Sequence, residues 1–122
     1  MLVIRDKQIE ALEHGVFIGW LGKHLLKFFP ERCGELGAEG VARAMADGIA
    51  RARSYGFREQ GDLSRYMDVA FALGPGFDRD AALPWVREHL VAGANDNPTE
   101  RMNALVAAVE SRENARGAGG AS

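Results

Sequence analysis

One cysteine, Cys33, stands in 122 residues. No internal disulfide, CxxC redox pair or zinc ribbon can be built from it, and a reducing, cytoplasmic setting is expected. Excess positive charge is also missing, since 15 lysines and arginines face 17 acids for a net charge of −2. The chain therefore lacks the electrostatic footprint of a nucleic-acid or anionic-membrane binder. The longest greasy run, GVFIGWLG over residues 15–22, is far shorter than the roughly 20 residues needed to span a bilayer. The start, MLVIRDKQIEALEHG, places charges from Arg5 onward and so lacks the pattern of a secretory leader.

What is present is near the globular norm, with 47% hydrophobic and 26% charged residues. One domain over residues 1–116 is expected, with GAGGAS at 117–122 a disordered tail. Only Leu2-Val3-Ile4 offers a strand, too short for a sheet. Helical spacing recurs elsewhere, broken by glycine and proline. The first helix is expected over about Asp6 to Phe29, ended by Pro30, and a short helical turn over Pro30 to Leu36. Ala38 to Tyr55 forms the next helix, with Gly56 as a left-handed cap. A fourth segment runs from an Asp62 N-cap to Leu73, and a fifth from Pro84 to Ala92. The last opens on NPTE, with Asn97 as N-cap, Pro98 at the first position and Glu100 at the third. The expected fold is all-α, a compact orthogonal bundle of five to six helices.

The segment FALGPGFDRD, residues 71–80, is the most structured loop. As a phosphate cradle it lacks a lysine, and proline removes one N–H. As a calcium loop, Asp78 and Asp80 begin correctly, but Leu83 stands where glycine is required and His89 where a bidentate glutamate is required. A hinge explains more. Gly74 caps the helix, Pro75 fixes the first turn position, and Gly76 supplies the positive φ of a type II turn. Phe77 and Trp85 anchor it, while Asp78 and Asp80 hold loop N–H groups.

Other chemistry-bearing residues are scattered. His14, His24 and His89 match no metal spacing, and no metal or cofactor is expected. Cys33 has Arg32 beside it, which could lower its pKa, but no assigned catalytic partner. Arg51, Arg53 and Arg58 surround Tyr55 and Phe57, superficially a basic and aromatic surface for RNA but better explained as cations balancing a helix C-terminus, since no recognised module or net positive charge accompanies them. The first helix is the most informative surface: Gly15, Gly19 and Gly22 each cost it about 1 kcal/mol of propensity relative to alanine yet permit close backbone approach. With Val16, Phe17, Ile18, Trp20 and Leu21 beside them, they serve either an internal crossing or contact with another chain.

Several segments, VIRDKQIEALE, FFPERCGELG, GIARARSYGF and above all DLSRYMDVAFALGPGFDRDAALPWVREHL, resemble small helical bacterial proteins encoded beside PAAR-repeat and other type VI secretion genes. The resemblance covers roughly residues 3 to 110, with GVFIGWLG replacing a more polar helix. It implies an effector adaptor, chaperone or immunity partner. The expectation is thus a non-enzymatic protein that binds a secreted effector, a PAAR-type protein or its own copy through Phe17, Trp20, Leu21, Gly15 and Gly19. Two alternatives stand beside it: an enzymatic or ligand-binding site on Cys33 and His24 or on Asp78 and Asp80, and a nucleic-acid regulator acting through the three arginines.

Overall fold

A computed structural model describes the backbone of residues 6–91 and 97–120, and side chains at 14–91 and 97–112. Leu2-Val3-Ile4 and Ala92 lie outside the described residues. Among the described residues five helices follow in order: α1 (Asp6–Phe28), α2 (Pro30–Ser54), α3 (Gln60–Leu73), α4 (Pro84–Leu90) and α5 (Pro98–Gly120). A short 3-10 turn, Phe77–Arg79, lies between α3 and α4. The chain is all-helical, with no strand among the described residues. Two compact units meet in sequence between Met45 and Ala46, within α2. None of the described helices is long and apolar enough to cross a membrane.

The first unit holds α1 and the beginning of α2. Phe17, Leu21 and Leu25 recur at intervals of four and are buried, as helical periodicity requires of one face. Pro30 has no N–H and opens α2, so the junction is short. Phe29 N–H still donates to the Leu25 carbonyl at 2.7 Å, and Cys33 N–H to the Phe29 carbonyl at 3.0 Å. The break expected between two helices near Leu36 lies at Gly37, whose φ of 72° interrupts α2. Only glycine enters that region without a steric cost.

The second unit is built on the later part of α2, with α3, α4 and α5. At Gly56, φ is 94°, the left-handed conformation expected after α2. The chain then turns into α3, whose N-cap is Glu59. Asp62, expected to be that cap, is buried within the first turn. It accepts hydrogen bonds from Arg65 and from the Thr99 hydroxyl, each at 2.8 Å, tying the starts of α3 and α5 together. Asn97 caps α5 as expected, its Oδ1 accepting the N–H groups of Thr99 at 2.8 Å and Glu100 at 3.3 Å. α5 continues through Gly120, into the stretch expected to be a disordered tail. Leu63, Met67, Phe71, Val86, Leu90, Met102 and Leu105 form the apolar core here.

Candidate functional site

The GPGFD loop is a turn of a different type from the one expected. Gly74 carries the positive φ, 111°, and its N–H closes on the Ala70 carbonyl at 2.8 Å. Gly76 has φ −99° and ψ 15°, the ordinary second centre of a type I turn, so it needs no left-handed backbone. Proline at the first centre sets φ for that turn, and Phe77 N–H reaches the Gly74 carbonyl at 3.2 Å.

Phe77 is buried and meets Tyr66 with ring centroids 5.1 Å apart. Tyr66 in turn contacts Phe57 at 6.3 Å and Tyr55 at 6.4 Å, giving a four-ring cluster within the second unit. Trp85, the second expected anchor, is half-buried and lies under the Arg112 guanidinium at 4.1 Å. The loop is thus held at Phe77 by packing and at Trp85 by a cation over a ring.

The two aspartates have different roles. Asp80 accepts the Ala82 N–H at 2.9 Å, as expected of a loop residue. Asp78 instead is withdrawn from water, its side chain 0% exposed, and accepts from Arg51 at 2.7 Å and from the Tyr55 hydroxyl at 2.8 Å through the same Oδ2. Arg51 stands in the last turn of α2 and Tyr55 directly after its end, its N–H still donating to the Arg51 carbonyl at 3.2 Å, so the two side chains share a face. Asp78 therefore fastens the loop to α2. Its other oxygen, Oδ1, and the buried Tyr66 hydroxyl have no hydrogen-bond partner among the described residues.

Burial first, and then the Asp78 charge, raise the Tyr66 phenol well above its ordinary value. In the unfolded chain that phenol ionises at about pH 10. Between that pH and the higher folded pKa the native state holds a proton that the unfolded state has lost, so stability falls with rising pH. Tyr66→Phe should remove this part of the alkaline loss and, by deleting a buried hydroxyl without a partner, leave neutral-pH stability unchanged or raised. Thermal melts at neutral pH and above pH 10 check both; a variant as alkali-sensitive as the parent and less stable at neutral pH contradicts the assignment.

A second buried polar group received no notice in the sequence. Arg101 is 9% exposed, donates to the Leu90 carbonyl and, at 2.9 Å, to the Tyr55 carbonyl, and its guanidinium lies 4.8 Å from the Phe57 ring centroid. It satisfies two carbonyls where α2 and α4 end. Its position in α5 gives no local signal of this, because both acceptors are distant in sequence.

Cys33 is buried, and burial raises its thiol pKa, opposite to activation by Arg32. His24 stacks on Trp20 at 4.9 Å and contacts Phe28 at 4.9 Å. Among the described residues no three His, Cys, Asp or Glu side chains converge as a metal site. Arg51 is held by Asp78, leaving Arg53 and Arg58 as the exposed members of the arginine trio. A groove of about 180 Å³ lies between α3 and α5, floored by Val69, Ala72, Val106 and Val109 and rimmed by Arg65, Asp68 and Glu110.

The first helix divides its residues sharply. Phe17 and Leu21, expected on a partner-binding surface, are buried, while Trp20 is 51% exposed and Val16 is 74% exposed. Leu26 and Phe28 are each 59% exposed. A Cβ added at Gly15 or Gly19 would meet nothing within 4 Å among the described residues, so neither glycine is required for close packing against them. Phe17, Trp20, His24 and Phe28 form an aromatic ladder along α1 that begins at the buried Phe17. Comparison of the chain with protein-family models, with curated proteins and with solved structures found no match.

Proposed function

We propose that the protein is a non-enzymatic, cytoplasmic binding protein that docks another protein on the outer face of α1. One observation carries the reading. Six large apolar side chains are exposed among the described residues, and four of them, Val16, Trp20, Leu26 and Phe28, lie on α1. Single exposed hydrophobics are ordinary, whereas such a concentration on one helix marks an interaction surface. Trp20 is suited to an anchor, because a large rigid ring gains much contact area for little lost side-chain entropy. The resemblance of LGPGFDRDAALPW to proteins encoded beside type VI secretion genes supports a role as adaptor, chaperone or immunity partner of a secreted effector or PAAR-type protein. In this reading the loop contributes rigidity, and the docking chemistry lies on α1.

Affinity capture from the native host with the parent chain and with Trp20→Glu tests the site. Trp20 is half-exposed, so a charge there should leave the circular dichroism and melting temperature near parental values while partner recovery falls by about tenfold or more, equivalent to the loss of one anchor side chain. Undiminished recovery with the fold intact would contradict it. The genes flanking the locus test the secretion setting separately.

A further inference from the structure

The groove between α3 and α5 is small for a free cofactor and suited to a single side chain. Its volume of about 180 Å³ lies below the roughly 300–1,000 Å³ of small-molecule sites, and its floor is aliphatic: Val69, Ala72, Val106 and Val109. The two walls run in the same direction. Asp62 accepts the Thr99 hydroxyl where both helices start, and Arg65 donates to Asn103 one turn on. Continuing both helices at the same rise puts Val69 about level with Val106 and Ala72 about level with Glu110. The ends of the groove differ in charge. Arg65 stands at its start, held by Asp62 at 2.8 Å, whereas Glu110 is exposed at its far end. An apolar anchor with a cation one turn further along is the complement of this floor and this far end.

α1 carries that pattern on one stripe. At about 100° per residue, Val16, Trp20 and Lys23 fall within an arc of about 60°, and all three are exposed. Residues 15–28 contain Lys23 and Lys27 and no acid, so nothing on this part of α1 opposes an acidic rim. The spacing also matches. Trp20 and Lys23 are three residues apart, as are Val69 and Ala72, so a Trp20 seated level with Val69 and Val106 brings Lys23 level with Glu110. This holds when α1 runs the same way as α5; reversed, Lys23 would meet Arg65. We propose that the groove between α3 and α5 of one copy receives Trp20 of a second copy, with Lys23 of that copy paired to Glu110. This rests on the reading of α1 as a docking face and names its occupant. The ring supplies most of the affinity, and the exposed ion pair fixes direction.

One anchor in one groove is a small interface, so reversible association with Kd about 10–100 μM is expected. Sedimentation equilibrium of the full chain across that range should show an average mass rising above the monomer. Ala72→Arg is the informative groove variant, because position 72 is exposed and arginine keeps helix propensity while its side chain covers the floor. It should keep the parental circular dichroism and associate about tenfold more weakly or worse. Lys23→Glu and Glu110→Lys should each weaken association by about threefold or more, since like charges then face each other. The contact joins two different surfaces, so a mixture of these two single variants should associate as the parent does: each α1 meets an opposite charge in the other chain's groove. A chain monomeric throughout, association indifferent to Ala72→Arg, or a mixture no tighter than its components overturns the proposal. If the chain is monomeric while Trp20→Glu still abolishes capture of a different protein, self-association fails and the docking face stands. If Trp20→Glu lowers neither self-association nor capture, both fail.

Discussion

Phe77→Ala should lower the free energy of unfolding by about 3–5 kcal/mol, the range for emptying a buried aromatic site. Phe77 is 2% exposed and meets Tyr66, which itself joins Phe57 and Tyr55. Removing the ring therefore opens a void at the edge of a packed cluster and releases the one apolar anchor of the 3-10 turn. Phe77→Leu keeps most of the volume and should cost less than half as much as Phe77→Ala. Urea titrations of the three proteins measure the series. An alanine variant within about 1 kcal/mol of the parent would show that the ring is not an anchor.

Asp78→Ala should cost about 2–4 kcal/mol, since it deletes a desolvated acceptor and strands two donors. Arg51, whose side chain is 32% exposed, can turn toward water, which keeps the cost below that of breaking a fully buried pair. Asp78→Asn should be intermediate, because its carbonyl still accepts one hydrogen bond while the charge-assisted component with Arg51 is lost. The double substitution Asp78→Ala with Arg51→Ala should cost less than the sum of the two singles, since the coupling they share is lost only once. Additive effects would separate Asp78 from Arg51. Equal effects of asparagine and alanine would show that the acceptor position contributes nothing.

The helices were legible where the cause is local. Pro30, Pro84, Pro98 and Asn97 act within one turn of themselves, and each stands at a helix start as expected. Gly56 was readable for the same reason, as the residue that must turn the chain after α2. Gly74 was legible as the cap of α3, but the positive φ expected at Gly76 is not there. A Gly-Pro-Gly run allows either type I or type II geometry, and the helix C-terminus took the positive φ at Gly74 first.

Asp62 and Asp78 show the limit of local reasoning more clearly. Each looks like a cap or loop residue, and each is instead buried against donors far away in sequence: Thr99 for Asp62, Arg51 and Tyr55 for Asp78. A signal for Asp78 existed in the four-residue spacing of Arg51 and Tyr55, which puts both donors on one side of the end of α2. It could not say which acid they receive. On α1, composition revealed an excess of apolar surface but not its division, because apolar residues go all the way round. The structure assigns Phe17 and Leu21 inward and Val16, Trp20 and Leu26 outward.

In-cell photocross-linking tests the docking face most directly. A photoreactive phenylalanine derivative would be placed at residue 16 or 26 on the outer face of α1, or at Arg53, an exposed position on α2. The account predicts discrete protein adducts from positions 16 and 26 and none from 53, with an adduct of twice the chain mass if the partner is a second copy. Absence of adducts from both α1 positions, or an equal yield from position 53, would contradict it.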